Sequence, residues 1–285
     1  MNPGGDLTPA SDGPAVVPVP TRSPMALAGP AIGVIGFIAI LISPSAFGVV
    51  MAIAAVLVAL DLARLLDARA VTIPRLAGAI LAGVIPIAAL RDIGAVVLAM
   101  SGALIVICIW GLTKISRPGL GDSLAGSAAA LSIAGFGFAH GTLLATGEFR
   151  GGPSSAISLV IITLLLIAAN QVASTVFAAA TVQVGGARKS SGNLWGTLAT
   201  LFIAIVASTI RNPPVNRLNF LVLGLAVAGA CAAARAIATM LTASPTDPEE
   251  IIEFDLTRNA FALQGLAVAA FALPTAYYVA RWLFV

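Results

Sequence analysis

Apolar runs of roughly 18 to 25 residues, each long enough to cross about 30 Å of hydrocarbon, alternate along this chain with short polar connections. The pattern predicts nine transmembrane helices, near 26–43, 46–66, 76–91, 93–113, 123–146, 156–184, 194–210, 218–242 and 261–284. Ser43-Pro44-Ser45 and Arg91-Asp92 leave room only for tight turns, so the runs flanking each are expected to form helical hairpins. Residues 1–24 break the pattern. They are rich in Pro, Gly and small polar residues and have no periodic apolar face, which predicts a disordered tail ahead of a transmembrane domain over 25–285. The tail also lacks the basic segment, apolar core and small-residue cleavage site of a secretory signal, so the first run is expected to remain as a span.

Composition sharpens the class. Of 285 residues, 59% are hydrophobic and 9% charged, whereas a soluble domain needs about 25% charged residues to cover its surface. The expected fold is an all-α, polytopic transmembrane helical bundle. The formal charge of +3 does not point to nucleic acid, because the cations are scattered at the ends of the apolar runs. Placing the N-terminal tail and the even-numbered connections on one side puts ten of the 15 Lys and Arg residues there. That bias predicts a cytoplasmic N-terminus and an outward C-terminus in the inner (plasma) membrane.

Metal chemistry finds little material. Cys108 and Cys231 each lie alone inside an apolar run and His140 is the only histidine, so no zinc, haem or iron–sulfur site, and no resident cofactor, is expected from this chain alone. His140 itself reads as a helix-packing or interfacial residue. Gly- and Ala-rich stretches such as LAGSAAALSIAGFGFAHG predict close helix packing, within the chain or against another membrane protein.

The remaining polar residues supply the candidates for function. The connection GGARKSSGNLWG (185–196) has the glycines and cations of a phosphate-binding turn, but not the Gly-x-x-x-x-Gly-Lys-[Ser/Thr] spacing or strand–loop–helix setting of a P-loop. Arg188, Lys189 and Ser190 suit contact with a lipid phosphate or nucleotide; they equally suit a loop whose cations set topology ahead of an interfacial Trp195. Asn170 and Gln171 sit deep in LLLIAANQVASTVFAAA, where amides seek hydrogen bonds and so are expected to face the bundle interior, as interhelical glue or as the wall of a lipid-accessible cavity. Arg235 lies about two turns from the end of its run, near enough to snorkel or to bind a headgroup. Asp61 and Arg64, three residues apart, share a helix face and are expected to pair. The densest acidic stretch runs from Asp247 to Asp255.

The order of these features resembles the phosphatidate cytidylyltransferases, multi-span enzymes that join phosphatidic acid to CTP. AIAAVLVALDLARLLDARAVTIPRLAGAILAGV is similar to that family's second span and next hairpin. LLLIAANQVASTVFAAATVQVGGARKSSGNLWGTLAT is similar to its acidic span, basic loop and Lys-x-[Ser/Thr]-Trp-Glu-Gly motif. The departures fall on the acids. Asn170-Gln171 stands where the family has an Asp, Trp195-Gly196 lacks the intervening Glu, and the C-terminal signature is echoed only by Asp255-Leu256-Thr257-Arg258-Asn259. An amide cannot replace the charge that holds Mg²⁺. The resemblance with its losses implies a pseudoenzyme. Such a protein would bind an anionic phospholipid or a membrane partner through Asn170, Gln171, Arg188, Lys189, Ser190 and Arg235, and no nucleic acid. Two alternatives stand beside it. One is an active Mg²⁺-dependent cytidylyltransferase using acids from Asp247, Asp255 or Asp61, with Asp255 as the candidate metal ligand; the other is a small-solute transporter or a subunit of a membrane complex.

Overall fold

The computed structural model describes residues 28–67, 71, 73–113, 119–149, 152–177, 181–184, 187–190, 192–209, 217–242 and 264–285. The tail over 1–24 and the acidic stretch 247–255 lie outside the described residues. The helices are α1 (Ala28–Ile42), α2 (Pro44–Asp67), α3 (Arg75–Ala88), α4 (Ile93–Leu112), α5 (Leu120–Ala130), α6 (Gly137–Thr146), α7 (Pro153–Val176), α8 (Gly192–Thr209), α9 (Arg217–Thr242) and α10 (Gln264–Phe284). A π-helical segment, Leu131–Phe136, joins α5 to α6 without a break.

Both tight turns occur where the sequence places them, and each is fixed by a side-chain cap. The Ser43 hydroxyl accepts a hydrogen bond from the Ala46 amide at 3.0 Å, and the Asp92 carboxylate accepts one from Ala95 at 2.7 Å. These contacts satisfy amides that the first turns of α2 and α4 would leave bare.

Among the described residues, six helices are long and apolar enough to cross a membrane, within Pro44–Asp67, Ile93–Leu112, Leu120–Thr146, Pro153–Val176, Leu218–Ile237 and Leu266–Phe284. The other three apolar segments, Ala31–Ile42, Arg75–Ala88 and Leu194–Thr209, are shorter. At 1.5 Å per residue, the 14 residues of α3 rise only about 21 Å, less than the hydrocarbon thickness of about 30 Å. Helix is therefore present at all nine expected positions, but length alone supports six spans. The run expected to continue to residue 184 also ends early. Its helix stops at Val176, and Thr181–Val184 (β1) pairs antiparallel with Ala187–Ser190 (β2), Val184 opposite Ala187. The basic connection is thus a short hairpin rather than an irregular loop.

The core lies where α2, α3, the π segment, α6 and α10 meet, around Phe47, Ile85, Phe138, Leu144 and Leu273. Leu120–Thr146 is the central helix, 72% of its apolar window being buried; in α4 the share is 17%, so α4 lies on the outside of the bundle. Backbone chemistry explains how the central helix gets so close to its neighbours. Pro86 in α3 and Pro274 in α10 cannot donate to the carbonyls four residues before them, Ala82 and Ala270. Glycines of the central helix lie against those same two carbonyls. A Cβ on Gly135 would sit 3.3 Å from the Ala82 oxygen, and one on Gly137 would sit 2.4 Å from that of Ala270. Without side chains, these glycines bring Cα–H groups to the two carbonyls and let three helices pack backbone to backbone.

Candidate functional site

Asn170, expected to face inward, does so completely: it is fully buried where α7, α8 and α9 meet. Its Nδ2 donates to Thr200 Oγ1 at 2.8 Å, and Thr200 Oγ1 donates in turn to the Gly196 carbonyl at 2.8 Å. Arg235 comes in from α9. Its Nη2 donates to the Asn170 side-chain oxygen Oδ1 and, at 3.3 Å, to the Asn170 backbone carbonyl. Guanidinium has no acceptor, so the amide orientation follows: Oδ1 faces Arg235 and Nδ2 faces Thr200. The result is a directed chain from Arg235 to Asn170, Thr200 and the Gly196 carbonyl, with its positive charge at the α9 end. Each bond polarises the next in the low-dielectric interior.

Gly196 makes the arrangement possible. A Cβ there would lie 2.9 Å from the Asn170 carbonyl oxygen, 3.2 Å from Asn170 Oδ1 and 3.2 Å from Arg235 Nη1. A larger residue would crowd the Asn170 carbonyl first, and the Asn170 amide oxygen and the guanidinium with it. Arg235 as a whole residue is half-buried. Close by, Phe177 at the end of α7 stacks on Trp195 of α8, with ring centroids 4.7 Å apart and planes at 27°. Such an aromatic pair suits headgroup depth. Asn170 is seven residues before Phe177 and Arg235 seven before the end of α9, so both sit about 10 Å along their helix axes from the ends.

Of the residues expected to form the site, the structure brings together Asn170 and Arg235. Gln171, expected to face inward as well, is only half-buried; its Nε2 is shielded from solvent without a hydrogen bond, and its backbone carbonyl accepts from the Ser174 and Thr175 hydroxyls. Arg188, Lys189 and Ser190 lie on β2, in the connection between α7 and α8. Asp255 lies outside the described residues. Thr200 and Gly196 complete the site although neither stood out as functional in the sequence. Their one signal is the spacing of four that puts a hydroxyl over the carbonyl of a small residue on one helix face.

Two other candidates resolve differently. His140 is fully buried; its Nδ1 donates to the Phe136 carbonyl at 2.8 Å, which leaves Nε2 to accept from the Tyr278 hydroxyl at 3.3 Å. Its ring also packs against Phe136, Tyr277 and Tyr278. It is a packing residue, as its sequence context suggested. Asp61 does not pair as expected. Asp61 is buried, Arg64 is exposed, and neither carboxylate oxygen has a hydrogen-bond partner. A spacing of three sets two residues on one side of a helix, yet here one side chain turns into the bundle and the other out of it. Among the described residues, no three His, Cys, Asp or Glu side chains come together as a metal site.

Comparison of the whole chain with known proteins finds no matching family model and no matching curated protein.

Proposed function

We propose that this protein is a non-catalytic membrane-bundle relative of the phosphatidate cytidylyltransferases, and that it binds the phosphate of an anionic phospholipid at Arg235. The observation that carries this reading is the guanidinium of the half-buried Arg235, seated on Asn170 beside Gly196 and close to the Phe177–Trp195 stack. A guanidinium offers its donors in a planar fork that matches phosphate oxygens, and here part of that fork is already positioned by Asn170. The Arg188 and Lys189 cations in the adjoining hairpin add attraction for an anionic surface.

The same geometry argues against metal-assisted nucleotidyl transfer. By the resemblance, Asn170 holds the place of a metal-binding Asp; here that place has a neutral amide whose oxygen accepts from a cation. Mg²⁺ brought to Asn170 Oδ1 would meet the like charge of Arg235 and find no carboxylate to offset it. The reading takes the nine helical segments as nine passes, the three short ones by local thinning or by flanking residues, with the N-terminus cytoplasmic in the plasma membrane. The excess of Lys and Arg on that side supports this orientation.

The test is to incubate the purified protein with phosphatidic acid, CTP and Mg²⁺ in micelles. We expect no CDP-diacylglycerol above a protein-free control. Its formation in proportion to protein, and its loss in Asp255→Ala, would replace this reading with the active enzyme.

A further inference from the structure

Asp61 lies on α2, six residues before its end at Asp67, or about 9 Å along the axis. It shares a face with Ala54 and Val58, both buried, and is itself only 3% exposed. Neither carboxylate oxygen receives a hydrogen bond. An ionised carboxylate in this position would lack water, donors and a contact ion pair, a state that costs far more than burying a neutral acid.

The charges on the elements packed against α2 do not relieve it. α1 has none. Arg75 of α3 is bonded to the Asp67 carboxylate, and Asp122 of α5 is exposed. The π segment has no charged residue. His140 of α6 is bonded to Phe136 and Tyr278, and Arg281 of α10 donates to the Tyr277 hydroxyl. On α2 itself Arg64 acts on Asp61 through its field without hydrogen bonding to it. Among the described residues, no three His, Cys, Asp or Glu side chains gather around it, and a proton neutralises a lone buried carboxylate without further ligands.

We propose that Asp61 is a proton-binding site of the membrane domain: a carboxylic acid that takes up and releases one proton near the end of α2. The exposed Arg64 one turn further on lies between it and the helix end, so a departing proton leaves a carboxylate that Arg64 can stabilise by a side-chain swing.

The experiment uses the full chain in lipid nanodiscs. The infrared C=O stretch of a neutral carboxylic acid is followed while pH is raised, in the wild type and in Asp61→Asn. The asparagine is isosteric with the neutral acid and should fold. The expected result is an acid band in the wild type that fades reversibly as pH rises and is missing from Asp61→Asn. A second readout is dicyclohexylcarbodiimide. The acid O–H adds across one C=N bond and the adduct rearranges to an N-acylurea with no group lost, so the peptide containing Asp61 gains the whole reagent mass. Its yield should fall with rising pH. Identical acid bands in wild type and Asp61→Asn, or a band at Asp61 that does not change with pH, would overturn the proposal.

Discussion

Replacing Gly196 with alanine tests whether the junction of α7, α8 and α9 is a built site. The new Cβ would lie 2.9 Å from the Asn170 carbonyl oxygen, and 3.2 Å from both Asn170 Oδ1 and Arg235 Nη1. Two of these atoms belong to one fully buried residue, and the nearest is backbone, so the strain cannot be relieved by a rotamer change alone. Overpacking of this kind costs about 1–3 kcal/mol. Alanine in a helix recovers about 0.5–1 kcal/mol of backbone entropy relative to glycine, so the control must share that gain. Gly229→Ala on α9 does so, since nothing lies within 4 Å of its added Cβ. The prediction is that Gly196→Ala falls below Gly229→Ala by about 1–3 kcal/mol in reversible unfolding in mixed micelles. If the strain is released by moving Arg235, affinity for an anionic phospholipid falls by about 5- to 150-fold. Equal behaviour of the two variants in both assays would refute the close packing described for this junction.

Three further outcomes are expected. Thr200→Val removes the acceptor for Asn170 Nδ2 while keeping the shape, and should cost about 0.6 kcal/mol and at most ~1.7 kcal/mol in the same unfolding assay, with Thr200→Ser restoring most of it. Gly137→Ala sets a Cβ 2.4 Å from the Ala270 carbonyl oxygen, a backbone atom that cannot swing aside, so a loss of about 3 kcal/mol or more and a lower yield of monodisperse protein are expected. Tyr278→Phe deletes only the hydroxyl bonded to His140 Nε2 and should cost about 0.5–1.5 kcal/mol; no change in unfolding would mean that this bond is not formed in the membrane.

The run of apolar residues made helix existence legible because backbone in lipid has few other ways to satisfy its hydrogen bonds. Helix ends were harder to see. The stretch after Val176 is apolar enough to prolong a span, but Thr181-Val182-Gln183-Val184 followed by Gly185-Gly186 has the β-branched residues and glycine pair of a hairpin. Apolar content concealed that signal. Asn170 was legible as an inward residue because an amide in hydrocarbon needs a partner. The partner was not, since Arg235 is 65 positions away and its approach depends on the register of three helices. The Asp61–Arg64 pairing failed for a related reason: spacing along one helix does not say which neighbour covers it. The glycine–proline matches, Gly135 with Pro86 and Gly137 with Pro274, likewise emerge only once the helices are placed side by side.

Retention of lipid by the purified protein bears most directly on the proposed binding at Arg235. Wild type and Arg235→Gln are placed in nanodiscs of phosphatidylcholine with a minor share of phosphatidic acid, released into the gas phase, and the lipid remaining on each is identified by mass. The wild type should hold the anionic lipid in excess over its share in the disc, and Arg235→Gln should retain the two lipids in the disc's own ratio. Equal enrichment in both proteins, or none in the wild type, would contradict an anionic-lipid site at Arg235.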